Sequence, residues 1–261
     1  MPVTFLFSSA WDFTLIEKEC TMPTILISGA NKGLGLGFAT RFARDGWRVL
    51  AACRQPDAAG ELAALARTSG DRVRIDPLDV TDHDSIERYA AAVSSEAIDI
   101  LFNNAGIQGP QPQNFGDTDY DAWAEVIRTN VFGVMKVSEA FIDHVARSER
   151  KLIVNVSSGT SSIANKTAVT PSAAAAKGEL YLYRSSKTAL NMVSRCMAWE
   201  LQPRRVGVVM LGPGWVRTAL GSDRARFSVE ESVENCTPMI QSWTLADTGK
   251  FYLYDGSEVP W

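Results

Sequence analysis

The run Ile25-Leu26-Ile27-Ser28-Gly29-Ala30-Asn31-Lys32-Gly33-Leu34-Gly35 constrains this chain more than any other stretch. A short apolar, β-branched segment ends in a glycine-rich turn. The turn opens a segment in which Leu36, Ala39, Phe42 and Ala43 fall on one helical face. A residue without Cβ can turn sharply and lets the backbone approach a ligand closely. The helix that follows offers unpaired N–H groups and the positive end of its dipole. Strand, glycine turn and helix in this order form the phosphate-binding corner of a dinucleotide fold. The spacing Gly-x3-Gly-x-Gly differs from Gly-x-Gly-x2-Gly, and an ordinary strand-to-helix turn can also carry three glycines.

The rest of the chain repeats the alternation. Strands are expected at 48–53, 73–78, 98–102, 151–156, 206–211 and 251–254. Helical segments are expected at 57–69, 83–95, 119–147, 183–202 and from Val229 to about Trp243. Asp82 is placed to cap the helix at 83, and Ser228 with Glu231 forms a capping-box pattern. The strands are apolar on both faces, which specifies a parallel sheet with helices on both sides: an α/β, Rossmann-like, doubly wound domain of about seven strands. No linker or composition shift divides residues 22–261. Ligands in such sheets bind beyond the carboxyl ends of the strands. Gly29 to Gly35, Arg54, Asp79, Asn103 to Gly106, Ser158 and Gly212 to Gly214 all fall there.

Composition removes several function classes. Hydrophobic residues make up 46% of 261, enough for a large core, and the net charge is −4. No basic run or aromatic-interleaved basic patch is present, so nucleic acid is excluded as a partner. Nothing approaches the roughly 20 apolar residues of a membrane span. Cys20, Cys53, Cys196 and Cys236 form no CxxC pair, and the only histidines, His83 and His144, have no ligand-type neighbour, so no metal site is expected. Reduced thiols and a cytoplasmic location follow. In residues 1–21, Val3 to Phe7 is too short for a signal segment and no Lys or Arg precedes it. This stretch is read as an extension outside the core, or as an arm that packs on a neighbouring subunit.

A second cluster carries chemistry. Tyr183 and Lys187, four residues apart, share one helix face. A nearby cation favours the phenolate and lowers the phenol's pKa, so such a tyrosine can pass a proton near neutral pH. Ser158, at a strand's carboxyl end, can hydrogen-bond a carbonyl oxygen. Ser157 competes for that role, and Tyr181 lacks the spacing to Lys187.

Together these pieces resemble the short-chain dehydrogenases/reductases across residues 23–261. The motifs are Ser28 to Gly35, Asp79-Val80, Asn103-Asn104-Ala105-Gly106, Asn130, Ser158, Tyr183-x3-Lys187 and Pro213-Gly214-Trp215-Val216-Arg217-Thr218. Gly33-Leu34-Gly35-Leu36-Gly37, Pro213 to Val216, Tyr254-Asp255-Gly256-Ser257 and the final Pro260-Trp261 look like the sniffer-type and C-factor-type carbonyl reductases.

The resemblance implies roles. Tyr183 would be the general acid or base, Ser158 would orient the carbonyl, and Lys187 would bind the nicotinamide ribose and lower the tyrosine's pKa. Asn130 would hold a water in a proton relay behind Lys187. The nucleotide would rest on Ser28, Gly29, Asn31, Lys32, Gly33, Leu34 and Gly35. Asp79 and Val80 would lie by the adenine and Asn104, Ala105 and Gly106 by the ribose. Pro213, Gly214, Val216 and Thr218 would close the site, Thr218 on the carboxamide. NADPH is expected in preference to NADH, because Lys32 sits inside the glycine turn and Arg54 follows the second strand, where NAD-using relatives commonly place an aspartate.

The implied reaction is NADPH-dependent reduction of a ketone or aldehyde. The alternatives are an NAD-dependent alcohol dehydrogenase and a catalytically silent dinucleotide-binding regulator. The silent reading predicts loss of Tyr183, Lys187 or Ser158, and all three are present. Ser28 replaces the family's usual threonine. The 159–182 stretch, with Thr167, Pro171, Ala173 to Ala176 and Gly178, is about twice the usual length. It is expected to shape the substrate mouth and to favour a homodimer over a helix-mediated tetramer. Trp215, Phe227, Trp243 and Trp261 either line an apolar substrate site or fill the core.

Overall fold

Seven parallel strands form one sheet, ordered β3-β2-β1-β4-β5-β6-β7, in the computed structural model of this chain. The structure describes residues 22–166 and 179–261. The 1–21 extension and the stretch 167–178 lie outside the described residues. The strands are β1 (Thr24–Ser28), β2 (Arg48–Cys53), β3 (Val73–Pro77), β4 (Ile100–Asn103), β5 (Leu152–Val156), β6 (Gly207–Gly212) and β7 (Phe251–Leu253). The helices are α1 (Gly33–Arg44), α2 (Gly60–Thr68), α3 (His83–Ala92), α4 (Tyr120–Ile127), α5 (Gly133–Ala146), α6 (Tyr181–Glu200) and α7 (Val229–Ser242).

Every residue of β1, β4, β5 and β6 is buried, as strands covered on both faces must be. Alternation sorts them into two layers. Ile25, Ile27, Phe102, Val154 and Leu211 pack against α1 and α7 with Phe38, Phe42 and Ile240. Leu26, Leu101, Ile153 and Val208 pack on the other face with Ile86 of α3, Phe141 of α5 and Met197 of α6. The Phe38 and Phe102 rings meet at 4.8 Å, and Phe42 meets Trp47 edge-on at 5.0 Å. Burying one such side chain stabilises by about 1.5–3 kcal/mol.

β1 pairs with β2 on one side and β4 on the other, Ile25 lying opposite both Val49 and Ile100. The chain winds outward from β1 to β3 and then restarts at β4. The crevice where strand order reverses therefore opens between the carboxyl ends of β1 and β4.

Asp82 caps α3, accepting from Asp84 N at 3.0 Å, and the Ser228–Glu231 capping box is formed. The expected helix over 119–147 is in fact two helices joined by a π-helical turn at Arg128–Phe132. No proline or glycine interrupts Arg128–Phe132, so the wider turn leaves no sequence signature. It sets Asn130 inward, and Gly133 fits because an added Cβ would lie 2.7 Å from Val80 O. α6 begins at Tyr181, two residues early, after Leu180 in a left-handed conformation at φ 58°.

Candidate active site

The glycine turn is built by close approach. Gly29 has φ 68°, in the region where glycine pays no steric penalty. A Cβ on Gly35 would sit 2.2 Å from Gly29 O, so α1 can start under the turn only with glycine at that position. Lys32 is extended and precedes the helix, whose first-turn N–H groups have no intrahelical acceptor. Asn104 locks the turn to β4: its Nδ2 donates to Ser28 O at 2.9 Å and Gly29 O at 3.2 Å. Ser28 Oγ accepts from Asn104 N and Ala105 N, each at 3.1 Å.

A cleft of 1110 Å³ runs from this turn along the carboxyl ends of the strands. Most residues expected at the site line it. Gly29, Asn31, Lys32, Gly33, Leu34 and Gly35 come from the first turn, Arg54 from the end of β2, and Asp79 and Val80 from beyond β3. Asn104, Ala105 and Gly106 follow β4, Ser158 follows β5, Tyr183 and Lys187 come from α6, and Pro213, Gly214, Val216 and Thr218 follow β6. Two expected residues do not line it. Ser28 is only 2% exposed and braces the turn from beneath. Asn130 is fully buried: its Oδ1 accepts from Ile107 N at 2.9 Å, and its Nδ2 donates to Ile107 O at 2.8 Å and Ser186 Oγ at 2.9 Å. A Cβ built on Gly106 would lie 3.2 Å from Asn130 Oδ1 and 3.5 Å from Lys187 Nζ, so both polar atoms border the same point of the backbone.

Lys187 is 5% exposed and its Nζ donates to Val156 O at 2.7 Å. Burial lowers its pKa to about 8. Its Nζ stands 6.0 Å from the Tyr183 ring centroid. The expected depression of the Tyr183 pKa is not the balance found here. Burial pushes the phenol up, and a hydrogen bond with Ser158 works in the opposite direction. Ser158 Oγ also accepts from Thr160 N at 3.3 Å and lies 2.9 Å from Thr160 Oγ1. Ser157 Oγ is turned away into a buried bond with Asn191 Oδ1, which leaves Ser158 as the serine hydroxyl beside the tyrosine.

Lys32 and Arg54 are exposed, and among the described residues neither forms an ion pair. Asp79 Oδ1 accepts from Thr81 N at 2.9 Å and Thr81 Oγ1 at 2.7 Å, which fixes its orientation. Of the four aromatic residues weighed for a substrate site, Trp215 lines the cleft. Trp243 is buried and stacks on Tyr252, Phe227 packs on Tyr254, and Trp261 stacks on Phe251.

Sequence reasoning missed the braces. Gln113, 2% exposed, accepts from Leu182 N through Oε1 at 2.9 Å and donates to Gln108 O at 2.9 Å, tying the loop after β4 to the start of α6. Asn191 Nδ2 donates to Ser161 Oγ at 2.8 Å, and Ser161 Oγ donates to Ser158 O at 2.6 Å. Polar residues in a loop or mid-helix carry no spacing that announces such a partner. No helix among the described residues is long and apolar enough to cross a membrane.

The sequence model of the short chain dehydrogenases matches residues 23–227. The C-signal protein of Myxococcus xanthus is 33% identical over 173 residues, 66% of this chain and 98% of its own length. Among solved structures, the NADPH-bound carbonyl reductase from chicken fatty liver superposes with a TM-score of 0.82 at 31% identity, covering 92% of this chain and 99% of that one. The carbonyl reductase Sniffer of Drosophila melanogaster gives a TM-score of 0.82 at 28% identity, covering 92% of this chain and all of its own.

Proposed function

Because this chain belongs to the short-chain dehydrogenase family and is an oxidoreductase, we propose that it reduces a ketone or aldehyde to an alcohol with NADPH. The observation that carries the reading is that Tyr183, Ser158 and Lys187 line the same cleft as the glycine turn. The nucleotide fits the residues present: the turn is too close for any side chain at Gly35, and the helix behind it presents unpaired N–H groups. Lys32 and Arg54, which line the cleft with no ion pair among the described residues, would meet a 2′-phosphate. The NADPH-bound relative from chicken supports the choice. When bound, the nucleotide supplies the hydride.

The chain's own residues supply the rest. The Ser158 hydroxyl donates a hydrogen bond to the substrate carbonyl oxygen and fixes its direction. The Tyr183 phenol gives its proton to that oxygen as negative charge develops there. A phenol held neutral by burial is in the form a reductase needs. Lys187 holds the nicotinamide ribose and, through the Asn130 side, passes a proton back toward the phenol. Asp79 and Val80 hold the adenine end, and Thr218 the carboxamide. The free thiols of Cys53, Cys196 and Cys236 support a reducing, cytoplasmic setting. The expected homodimer remains part of this reading, with Met192 and Trp199 exposed on α6 as apolar positions available to it.

The test is an NADPH-oxidation assay over aldehydes and ketones, run with wild type and Tyr183→Phe. Turnover in the wild type and its loss by orders of magnitude in the variant, at retained nucleotide binding, is expected. A phenylalanine variant with near-full activity would remove Tyr183 from the reaction.

A further inference from the structure

Arg184 follows the tyrosine directly and has no role in the reading above. It lines the cleft, and it also borders a smaller depression with Lys166, Glu179 and Tyr181. Among the described residues its Nε has no hydrogen-bond partner. Among the described residues its side chain makes no ion pair. The acid whose field it feels, Glu179, is already held by Lys166 at 2.6 Å. An arginine on the cleft wall next to Tyr183, with no ion pair among the described residues, can give its charge to an anion in the cleft. Its planar guanidinium matches a carboxylate with two parallel hydrogen bonds.

The surrounding charge points the same way. In a chain of net charge −4, Arg184, Arg224 and Lys187 all face the cleft. Its acidic lining is Asp79, bonded to Thr81, and Glu125, which Arg128 pairs at 2.6 Å. A concave site with this sign concentrates anionic ligands.

We propose that Arg184 reads a carboxylate on the substrate, so that this reductase selects carbonyl compounds carrying an acid group close to the reacting carbonyl. The proposal rests on the carbonyl-reductase reading and names its substrate class. Tyr183 and Arg184 are consecutive in α6, one fixing the carbonyl oxygen and the other the acid. A two-point attachment orients the carbonyl in a way that a neutral aldehyde of the same size cannot match.

The experiment compares the three carboxybenzaldehydes with their methyl esters, using NADPH and the wild type, Arg184→Ala, Arg184→Gln and Arg184→Lys. At least one acid should exceed its ester in kcat/KM in the wild type. That ratio should fall by about ten- to a hundredfold in the alanine and glutamine variants, the size of a lost charge-assisted pair. The lysine variant should fall between, because it keeps the charge and loses the fork. Benzoate binding, measured by calorimetry on the same proteins, provides a readout that needs no turnover. It should weaken in parallel with the loss of the fork. Esters reduced as well as acids by the wild type, or benzoate bound equally by wild type and Arg184→Ala, would overturn the carboxylate assignment while leaving the reductase standing. If no carbonyl compound is reduced and benzoate still depends on Arg184, the reductase reading fails and the anion site holds.

Discussion

Ser157 Oγ donates to Asn191 Oδ1 at 2.6 Å, and this one bond ties the residue before Ser158 to the helix that carries Tyr183 and Lys187. Asn191 lies four residues beyond Lys187 and eight beyond Tyr183, on the same face of α6. Its Nδ2 reaches Ser161 Oγ, which in turn holds Ser158 O. Asn191, Ser157 and Ser161 are all buried, so the distance between the serine turn and the tyrosine is set by a chain of buried side chains.

Asn191→Leu should leave Ser157 and Ser161 short of partners and destabilise the fold by about 1–3 kcal/mol. If Asn191 also positions Ser158, kcat should fall while the dissociation constant for NADPH stays near wild type. Asn191→Asp keeps the acceptor for Ser157 and should recover part of kcat. Steady-state rates and nucleotide titration on both variants separate the two effects. A leucine variant that loses stability and no kcat would mark the brace as purely structural.

Gly35→Ala should abolish nucleotide binding. The new Cβ would meet Gly29 O at 2.2 Å and Asn104 Nδ2 at 2.6 Å, and the first of these is backbone that cannot step aside without moving the turn. Gly60→Ala provides the contrast. It opens α2, has nothing within 4 Å of the added Cβ, and should raise stability by about 0.4–1 kcal/mol through the unfolded chain. Fluorescence titration with NADPH and thermal melts of the two variants check both outcomes.

How much of this was legible follows from what each residue leaves in the sequence. Strands β1, β4, β5 and β6 were visible because both faces are apolar, and their ends were visible because serine, asparagine or glycine closes each of these runs. The π-helical turn at Arg128–Phe132 was not, since one extra residue per turn changes geometry without changing residue type. Ser28, expected under the nucleotide, and Asn130, expected to hold a water in a proton relay, were found by motif; in the structure both are buried and hydrogen-bond backbone beside the cleft wall. Asn191 and Gln113 had no motif around them. Arg184 was adjacent to Tyr183 in sequence, but the direction of its side chain and the pairing of Glu179 with Lys166 exist only in three dimensions.

Lys187 gives the free protein a pH signature. Burial lowers its pKa from 10.5 to about 8, so the folded chain releases this proton earlier than the unfolded chain does. Between about pH 8 and 10.5 the unfolded state binds more protons, and stability rises with pH over that window. Below about pH 8 both states are charged and the full penalty stands, on the order of 3 kcal/mol from the shift. Lys187→Met should therefore melt no lower than wild type at pH 7 and should lose the rise above pH 8, while losing turnover. Melts at several pH values test this, and kcat/KM against pH for the wild type should show a group near 8. A melting profile that is flat in both proteins would show that Lys187 keeps an ordinary pKa.

The 2′-phosphate preference is the prediction with the plainest electrostatics. Arg54 follows β2 and Lys32 precedes α1, and both line the cleft with no ion pair among the described residues. A phosphate bound here would meet two cations that, among the described residues, no acid neutralises. The nearest acid in sequence, Asp57, sits in the 3-10 turn Pro56–Ala58 and does not line the cleft. A charged hydrogen bond contributes about 1.5–3 kcal/mol, so Arg54→Ala should weaken NADPH by about ten- to a hundredfold and leave NADH nearly unchanged. Both cations are exposed, so salt should erode the effect: raising ionic strength should lower NADPH affinity in the wild type more than in the variant. Arg54→Asp should go further, since a carboxylate repels the phosphate and can accept from the ribose hydroxyls that NADH offers. Dissociation constants for both nucleotides at two salt concentrations decide it. Equal wild-type affinities, or an Arg54→Ala protein that loses NADH as much as NADPH, would show that these two residues do not read the phosphate.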